Sequence, residues 1–275
     1  MRYAKAHRFG PVESVQLGVG YFGPPPVQVY AFWVDGLLID TGPPMLQKEF
    51  TAWLKKRTLE QVFITHHHED HSGNVNAVAA HANVPIQGSP LCCDLVQGKV
   101  HTCLAQKLFW GSPQFTDKVT PIEGESIETN RHRFSLISVP GHSADQVALF
   151  EPREGWLFSA DAFVSPTIKY FMRQESMREQ MDSLKKLIAL DFDQLFCCHN
   201  PQMKGGKKLL KQKLAFFEDY YGQVIHWTDK GYSPQAVRKA MNQQERWSGM
   251  LLSGGKMSAV NMIRAVLRDE GRSRW

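Results

Sequence analysis

The chain has 275 residues, 43% of them hydrophobic and 21% charged, with a formal net charge of +5. That apolar content is enough for a buried core and excludes a disordered chain, and no run of about 18 apolar residues exists to cross a bilayer. The charge is modest and spread out except between Lys204 and Lys213, so it does not by itself imply nucleic acid.

The start, Met1-Arg2-Tyr3-Ala4-Lys5, leads into no apolar signal core. The five cysteines, Cys92, Cys93, Cys103, Cys197 and Cys198, are odd in number and include two adjacent pairs, a poor disulfide framework. The expectation is a soluble, cytoplasmic chain with reduced thiols, Cys197 and Cys198 being buried as small hydrophobes.

Residues 12–20 and 27–39 read as strands, the second stretch turning at Asp35-Gly36 in a hairpin signal. Between them Tyr21-Phe22-Gly23-Pro24-Pro25-Pro26 is a stiff loop whose Tyr21 and Phe22 are either part of a connector or a wall of a substrate cleft. Asp40 ends a strand and is followed by Thr41-Gly42-Pro43-Pro44, so its carboxylate lies at a chain reversal. Residues 45–56 have helical spacing, with Leu46, Phe50 and Trp53-Leu54 on one side, and hand over to a strand at 61–64 in a β-α-β rhythm.

That strand feeds Thr65-His66-His67-His68-Glu69-Asp70-His71-Ser72-Gly73, and a helix at 75–80 follows. His66 and His68, two apart, point the same way in an extended segment and can grip one ion. Asp70 and His71 fall where the chain turns and can reach another. A histidine run can be a tag or a low-complexity tract, but this one is internal and flanked by a strand and a helix.

Residues 85–88 read as a short strand and 91–109 as a helical insertion. Its His101, Cys92 and Cys103 lack both a Cys-x-x-Cys spacing and a fourth nearby ligand, which argues against a zinc site there. Residues 119–127, 134–139, 146–150 and 156–158 form a second series of short strands, with His142 and Asp161 just past strand ends. A buried, unpaired carboxylate at Asp161 is costly unless a cation sits beside it. Residues 176–190 form an amphipathic helix, 194–198 a strand that presents His199, and 209–221, a segment opening at Ser233-Pro234, and 258–268 three helices of a C-terminal appendix.

His66-x-His68-x-Asp70-His71 resembles the signature of the metallo-β-lactamase superfamily, and the other motifs stand in that family's order. They are Asp40 in Leu-Ile-Asp-Thr-Gly, His142 in Pro-Gly-His-Ser, Asp161 in Phe-Ser-Ala-Asp, and His199 in Phe-Cys-Cys-His. One departure is Ala160, where many members carry glycine. The resemblance implies an α/β fold, a four-layer αβ/βα sandwich, over residues 1–200, with residues 201–275 as the helical appendix.

It also implies two divalent ions, zinc by preference with iron or manganese accepted. His66, His68 and His142 would hold one and Asp70, His71 and His199 the other, with Asp161 bridging and Asp40 bracing the loop from behind. The implied nucleophile is a metal-bound hydroxide, with Asp70 steering its proton, so that no serine or cysteine nucleophile is needed.

The expected activity is hydrolysis of a small thioester, ester or lactone, as in glyoxalase II-type relatives. The alternatives are a phosphodiesterase or ribonuclease, to which the basic stretch 204–208 contributes, and an iron-dependent oxygenase-type relative. Flavodiiron proteins carry glutamate at the position of His68, which argues against that last branch. Quorum-signal lactonases usually have tyrosine where this chain has Val164, which demotes that activity, and Lys169 and Tyr170 are the other substrate-contact candidates. The expected partner is a small molecule, with nucleic acid not favoured and no membrane.

Overall fold

The computed structural model describes residues 2–272 apart from Phe22, Pro24, Pro26, 99–101, 246–249 and Leu252. Seven strands build the first sheet in chain order: β1 (Arg2–Phe9), β2 (Val12–Val19), β3 (Gln28–Val34), β4 (Leu37–Ile39), β5 (Gln61–Ile64), β6 (Ile86–Gly88) and β7 (Thr120–Pro121). Pairing is antiparallel from β1 to β4 and parallel from β4 to β7.

The second sheet runs β13 (Gln194–Cys197), β11 (Trp156–Ala160), β10 (Val147–Glu151), β9 (Arg133–Ser138), β8 (Ser126–Glu128). All its pairs are antiparallel except β11 with β13. A two-stranded ribbon, β12 (Phe171–Met172) with β14 (Met257–Ser258), lies apart.

The two sheets face each other across an aromatic core. Phe158 stacks on Phe196 at 4.6 Å between centroids, and Phe32 meets both edge-on at 5.5 and 5.6 Å. These rings fall at alternate positions of their strands, so the pleat sends them all inward. The first sheet is flanked by α1 (Gln47–Leu54), which packs on β1, β2 and α3 (Val75–His81), and by α4 (Pro90–Gln97), which packs on β6 and β7; α2 (Glu69–Ser72) follows β5, and α5 (Leu104–Phe109) follows α4.

The outer face of the second sheet buries Ala148, Leu157 and Leu195 against α6 (Met177–Ala189), α7 (Gly206–Asp229), α8 (Pro234–Ala240) and α9 (Ala259–Asp269). The result is the helix-sheet-sheet-helix sandwich that the resemblance implied.

Two sequence expectations need correction, and one strand escapes sequence reading. Residues 119–127 are two strands in different sheets: Pro121 offers no N–H to extend β7, and Gly124 at φ +87 turns the chain across to β8. The insertion at 91–109 is two helices, because Gly98 closes α4 with its N–H on Asp94 O at 3.1 Å, and Cys103 with Gln106 starts α5 afresh. His101 lies outside the described residues. The N-terminal segment, read above only for a signal core, is β1, an edge strand paired residue for residue with β2.

Candidate metal centre

All the predicted ligands stand just past strand ends on one rim of the sandwich. His66 and His68 occupy the loop after β5, Asp70 and His71 the single turn of α2, His142 the loop between β9 and β10, Asp161 the residue after β11, and His199 the loop after β13. Close packing fixes two of these loops. A side chain at Gly141, which has φ +125, would meet Gln180 N at 2.4 Å, so the approach of α6 to the His142 loop admits only glycine. At Gly73 an added carbon would strike Glu69 O at 2.3 Å.

The structure brings the seven predicted ligands together. His66 Nε2 lies 3.1 Å from His68 Nδ1, and His142 Nε2 lies 3.0 Å from the same atom. Asp161 Oδ2 is 3.5 Å from His142 Nε2 and 3.2 Å from His199 Nε2. Asp70 Oδ2 is 3.5 Å from His199 Nε2 and 3.7 Å from His71 Nε2. Asp161 thus stands between a three-histidine group and an Asp70-His71-His199 group, and donor atoms within each group lie within 4.8 Å of one another.

Behind the ring nitrogens that face inward, the other nitrogens of His66, His71, His142 and His199 are tethered. Asp40 accepts from Thr65 N at 2.8 Å, Thr65 Oγ1 at 2.9 Å and His71 Nδ1 at 2.8 Å. Since the Thr65 hydroxyl donates to Asp40, its oxygen accepts from His66 Nδ1 at 3.1 Å. His199 Nδ1 donates to Gln28 O at 2.6 Å, and His142 Nδ1 donates to Glu175 Oε2 at 3.4 Å. Each tether fixes a proton on Nδ1 and so makes Nε2 the nitrogen that can offer a lone pair to a cation.

Those lone pairs fit a cation. A zinc–nitrogen bond of about 2.0–2.1 Å puts tetrahedral ligands roughly 3.3 Å apart, close to the spacings of the His66–His68–His142 group. The lone pairs of His66 Nε2 and His142 Nε2 converge on His68 Nδ1, whose one proton cannot serve both. His71 Nε2 and Asp161 Oδ1 are buried and face each other at 3.5 Å without forming a hydrogen bond, an arrangement that a cation beside them would satisfy.

The electrostatics divide the site. Burial, reinforced by neighbouring imidazoles, holds His66 and His68 well below the ordinary histidine range, so they stay neutral. Burial also works against charge on His71 and His199, but the carboxylates outweigh it: His71 is raised by Asp70, Asp161 and Asp40, and His199 is raised to about 9, mainly by Asp161. Asp161, despite its burial, is held well below the carboxylate range by His199 and His71.

Several residues here escape sequence reasoning. Glu175 lies far along the chain from His142, beside the Ser176 cap of α6, and nothing local marks it. Asp145 clamps His67 through its N–H at 2.7 Å and Nδ1 at 3.0 Å; burial would raise its pKa, but hydrogen bonds from His67 and Ser143 lower it to about 2. Its place three residues after His142 is the only available signal.

The insertion also reaches the site. Trp110 lies 6.4 Å from the His199 ring, and Gln106 donates to Glu69 at 3.3 Å. Burial, helped by Asp70, raises Glu69 to about 7. Ala160 takes a left-handed φ of +46, which explains why glycine suits that position.

Of the predicted substrate contacts, Tyr21 is exposed and donates its hydroxyl to Leu108 O on α5 at 2.7 Å. Phe22 lies outside the described residues. Lys169 is exposed and Tyr170 half-buried, on the segment leading from Asp161 to β12. All five cysteines are free and buried, and burial pushes Cys197 up to about 12. Among the described residues no helix is long and apolar enough to cross a membrane.

Solved structures share this architecture. A metallo-β-lactamase from Pontibacter korlensis superposes with a TM-score of 0.62 at 20% identity, over 78% of this chain and 99% of the other. A metallo-β-lactamase from Erythrobacter litoralis, solved with β-mercaptoethanol in its active site, gives 0.57 at 16%, over 78% and 100%. A mutant flavodiiron protein from Thermotoga maritima gives 0.60 at 17%, over 85% and 71%, so the fold also houses proteins outside the hydrolases. The sequence model of the metallo-β-lactamase superfamily matches residues 24–199, and with that match spanning well over half of its length the chain belongs to the metallo-β-lactamase superfamily.

Proposed function

We propose that the chain is a binuclear metal-dependent hydrolase of small acyl substrates: thioesters, esters or lactones. The observation that carries the metal reading is the buried pair His71 Nε2 and Asp161 Oδ1, 3.5 Å apart and without a hydrogen-bond partner, set among imidazoles of which His66, His71, His142 and His199 have their outer nitrogens tethered. His66, His68 and His142 would hold one ion, Asp70, His71 and His199 the other, and Asp161 both. Zinc suits this nitrogen and oxygen set, with iron or manganese also accepted.

When bound, such ions supply a Lewis acid for the substrate oxygen and lower the pKa of a water from about 15.7 to roughly 7. The chain does the positioning. Asp70, with Oδ2 3.5 Å from His199 Nε2, would steer the proton of the hydroxide, and Asp40 keeps His66 and His71 in the tautomer that faces inward. No thiol competes as nucleophile, because burial keeps Cys197 and Cys198 protonated.

Acyl chemistry is favoured over phosphodiester cleavage by what flanks the ligands. Trp110 stands beside His199, and Tyr21, Leu104 and Leu108 are large exposed side chains on the neighbouring loop and helix. Of the longer basic run from Lys204 to Lys213, Lys213 is buried and only Lys204, Lys207, Lys208 and Lys211 reach the surface. Protein of measured metal content, assayed on a thioester, a lactone and bis-nitrophenyl phosphate at equal concentration, should turn over an acyl substrate fastest. Faster phosphodiester cleavage with salt-dependent RNA binding would transfer the assignment to a nuclease.

A further inference from the structure

Lys213 is the one buried lysine among the described residues, 2% exposed, and it lies on the wrong face of its helix for a charge. The inward stripe of α7 is Gly206, Leu210, Lys213, Phe217, Tyr220 and Val224, a helical spacing at which packing alone calls for a hydrophobe. Placing an ammonium there costs several kcal/mol unless it meets a partner. The partner is the carbonyl of Ala162, 2.8 Å from Nζ, one residue past the bridging aspartate.

The turn that presents Asp161 needs such a support. Ala160 is held left-handed at φ +46, a strained backbone for a residue with a β-carbon. Three bonds pin the turn from the side of the second sheet: Ala162 N to Ser159 O at 3.0 Å, Asp161 N to Gln146 Oε1 at 3.2 Å and Cys198 N to Ala160 O at 3.5 Å. Lys213 adds a bond that comes from the C-terminal helices.

A second tie runs from α9 to the other side of the centre. Arg268 donates to Glu175 O at 2.7 Å, and Asp269 accepts from Ser176 Oγ and Arg178 N, each at 2.9 Å. These bonds fix the backbone of Glu175. Its carboxylate is further held by Met172 N at 2.7 Å and Gln180 Nε2 at 2.9 Å, and it faces His142 Nδ1.

We infer that the C-terminal helices are the outer support of the metal centre: Lys213 of α7 positions Asp161, and Arg268 of α9, through Glu175, positions His142. This rests on the metal-centre reading above. A lysine kept for packing alone would be replaced by methionine, which fills similar space and carries no charge to bury, without loss of metal affinity. A positioning lysine would not.

The experiment measures zinc affinity by chelator competition, and apo-protein melting, for wild type, Lys213→Met and Arg268→Met. The expected result is that K213M melts at or above wild type yet holds zinc about 10- to 100-fold more weakly, the range for loss of a residue that orients a ligand. R268M, a change at an exposed side chain that leaves the core intact, should weaken chiefly the ion held by His66, His68 and His142. Variants that bind both ions as tightly as wild type would overturn the inference and leave the metal reading standing. A wild-type protein that binds no zinc, iron or manganese would sink that reading itself.

Discussion

Replacing Asp40 by asparagine separates the charge of this residue from its shape. Asparagine tolerates the left-handed backbone that Asp40 adopts at φ +62, so the chain reversal survives. Thr65 N–H donates to one carboxylate oxygen, and a backbone donor cannot turn away, so the amide oxygen of the variant must occupy that place. The amide NH2 then stands where Asp40 Oδ2 accepted from both Thr65 Oγ1 and His71 Nδ1. Facing a donor, His71 moves its proton to Nε2. Thr65 Oγ1, now an acceptor, turns its own proton toward His66 Nδ1, and His66 shifts in the same way.

One substitution thereby protonates the inward nitrogen of a ligand in each half of the centre. Loss of such an outer partner weakens metal binding about 10- to 100-fold, or about 1.4 to 2.7 kcal/mol, and here both ions are affected. Metal per protein after dialysis against a weak chelator, with the affinity of each step from competition, measures the effect. The apo protein should stay folded, since the variant removes a buried charge and keeps the shape. D40N protein that retains both ions at wild-type affinity would refute the tautomer argument.

Asp161→Ala should cost more activity than Asp40→Ala, because it removes a ligand shared by both ions where the other removes a brace; equal losses at unchanged metal content would contradict the assignment. Ala160→Gly should leave stability within about 1 kcal/mol, relief of the left-handed strain offsetting the lost methyl and the added freedom of the unfolded chain, whereas Ala160→Val should destabilise by about 2 kcal/mol or more; denaturant midpoints distinguish them. Burial lowers Lys213 from 10.5 to about 8, against the pull of Glu175, Cys197 and Asp161. Between those two pH values the unfolded chain holds the extra proton, so apo stability should gain as pH rises through that window. The gain should be missing in K213M, and parallel stability curves for the two proteins would count against it.

The candidate ligands His66, His68, Asp70 and His71 are legible in the sequence because chemistry and local geometry coincide, whereas His142, Asp161 and His199 stand out by their place in the order of the family's motifs. What stays hidden is whatever depends on a distant surface. Lys213 sits in a lysine-rich stretch and reads as solvated until α7 is laid against the second sheet. Glu175 touches His142 only because α6 folds back over the loop at Gly141. The strand β1 carries Arg2, Lys5, His7 and Arg8 with little apolar alternation, since as an exposed edge it buries little. The break at Pro121 and Gly124 is written locally, but that it moves the chain from one sheet to the other is a tertiary fact.

The tether from His199 to the carbonyl of Gln28 joins residues 171 apart in the chain, and Tyr30 N–H meets Cys198 O beside it at 2.7 Å. On the other flank, Val147 N–H reaches across to Thr65 O at 2.9 Å. The centre is a seam between the two sheets, so its pocket comes into being only when they dock, after the longest loops have closed. Ions held there would join the two sheets, and on the proposed reading their removal should lower the resistance of both sheets to global opening and hydrogen exchange together.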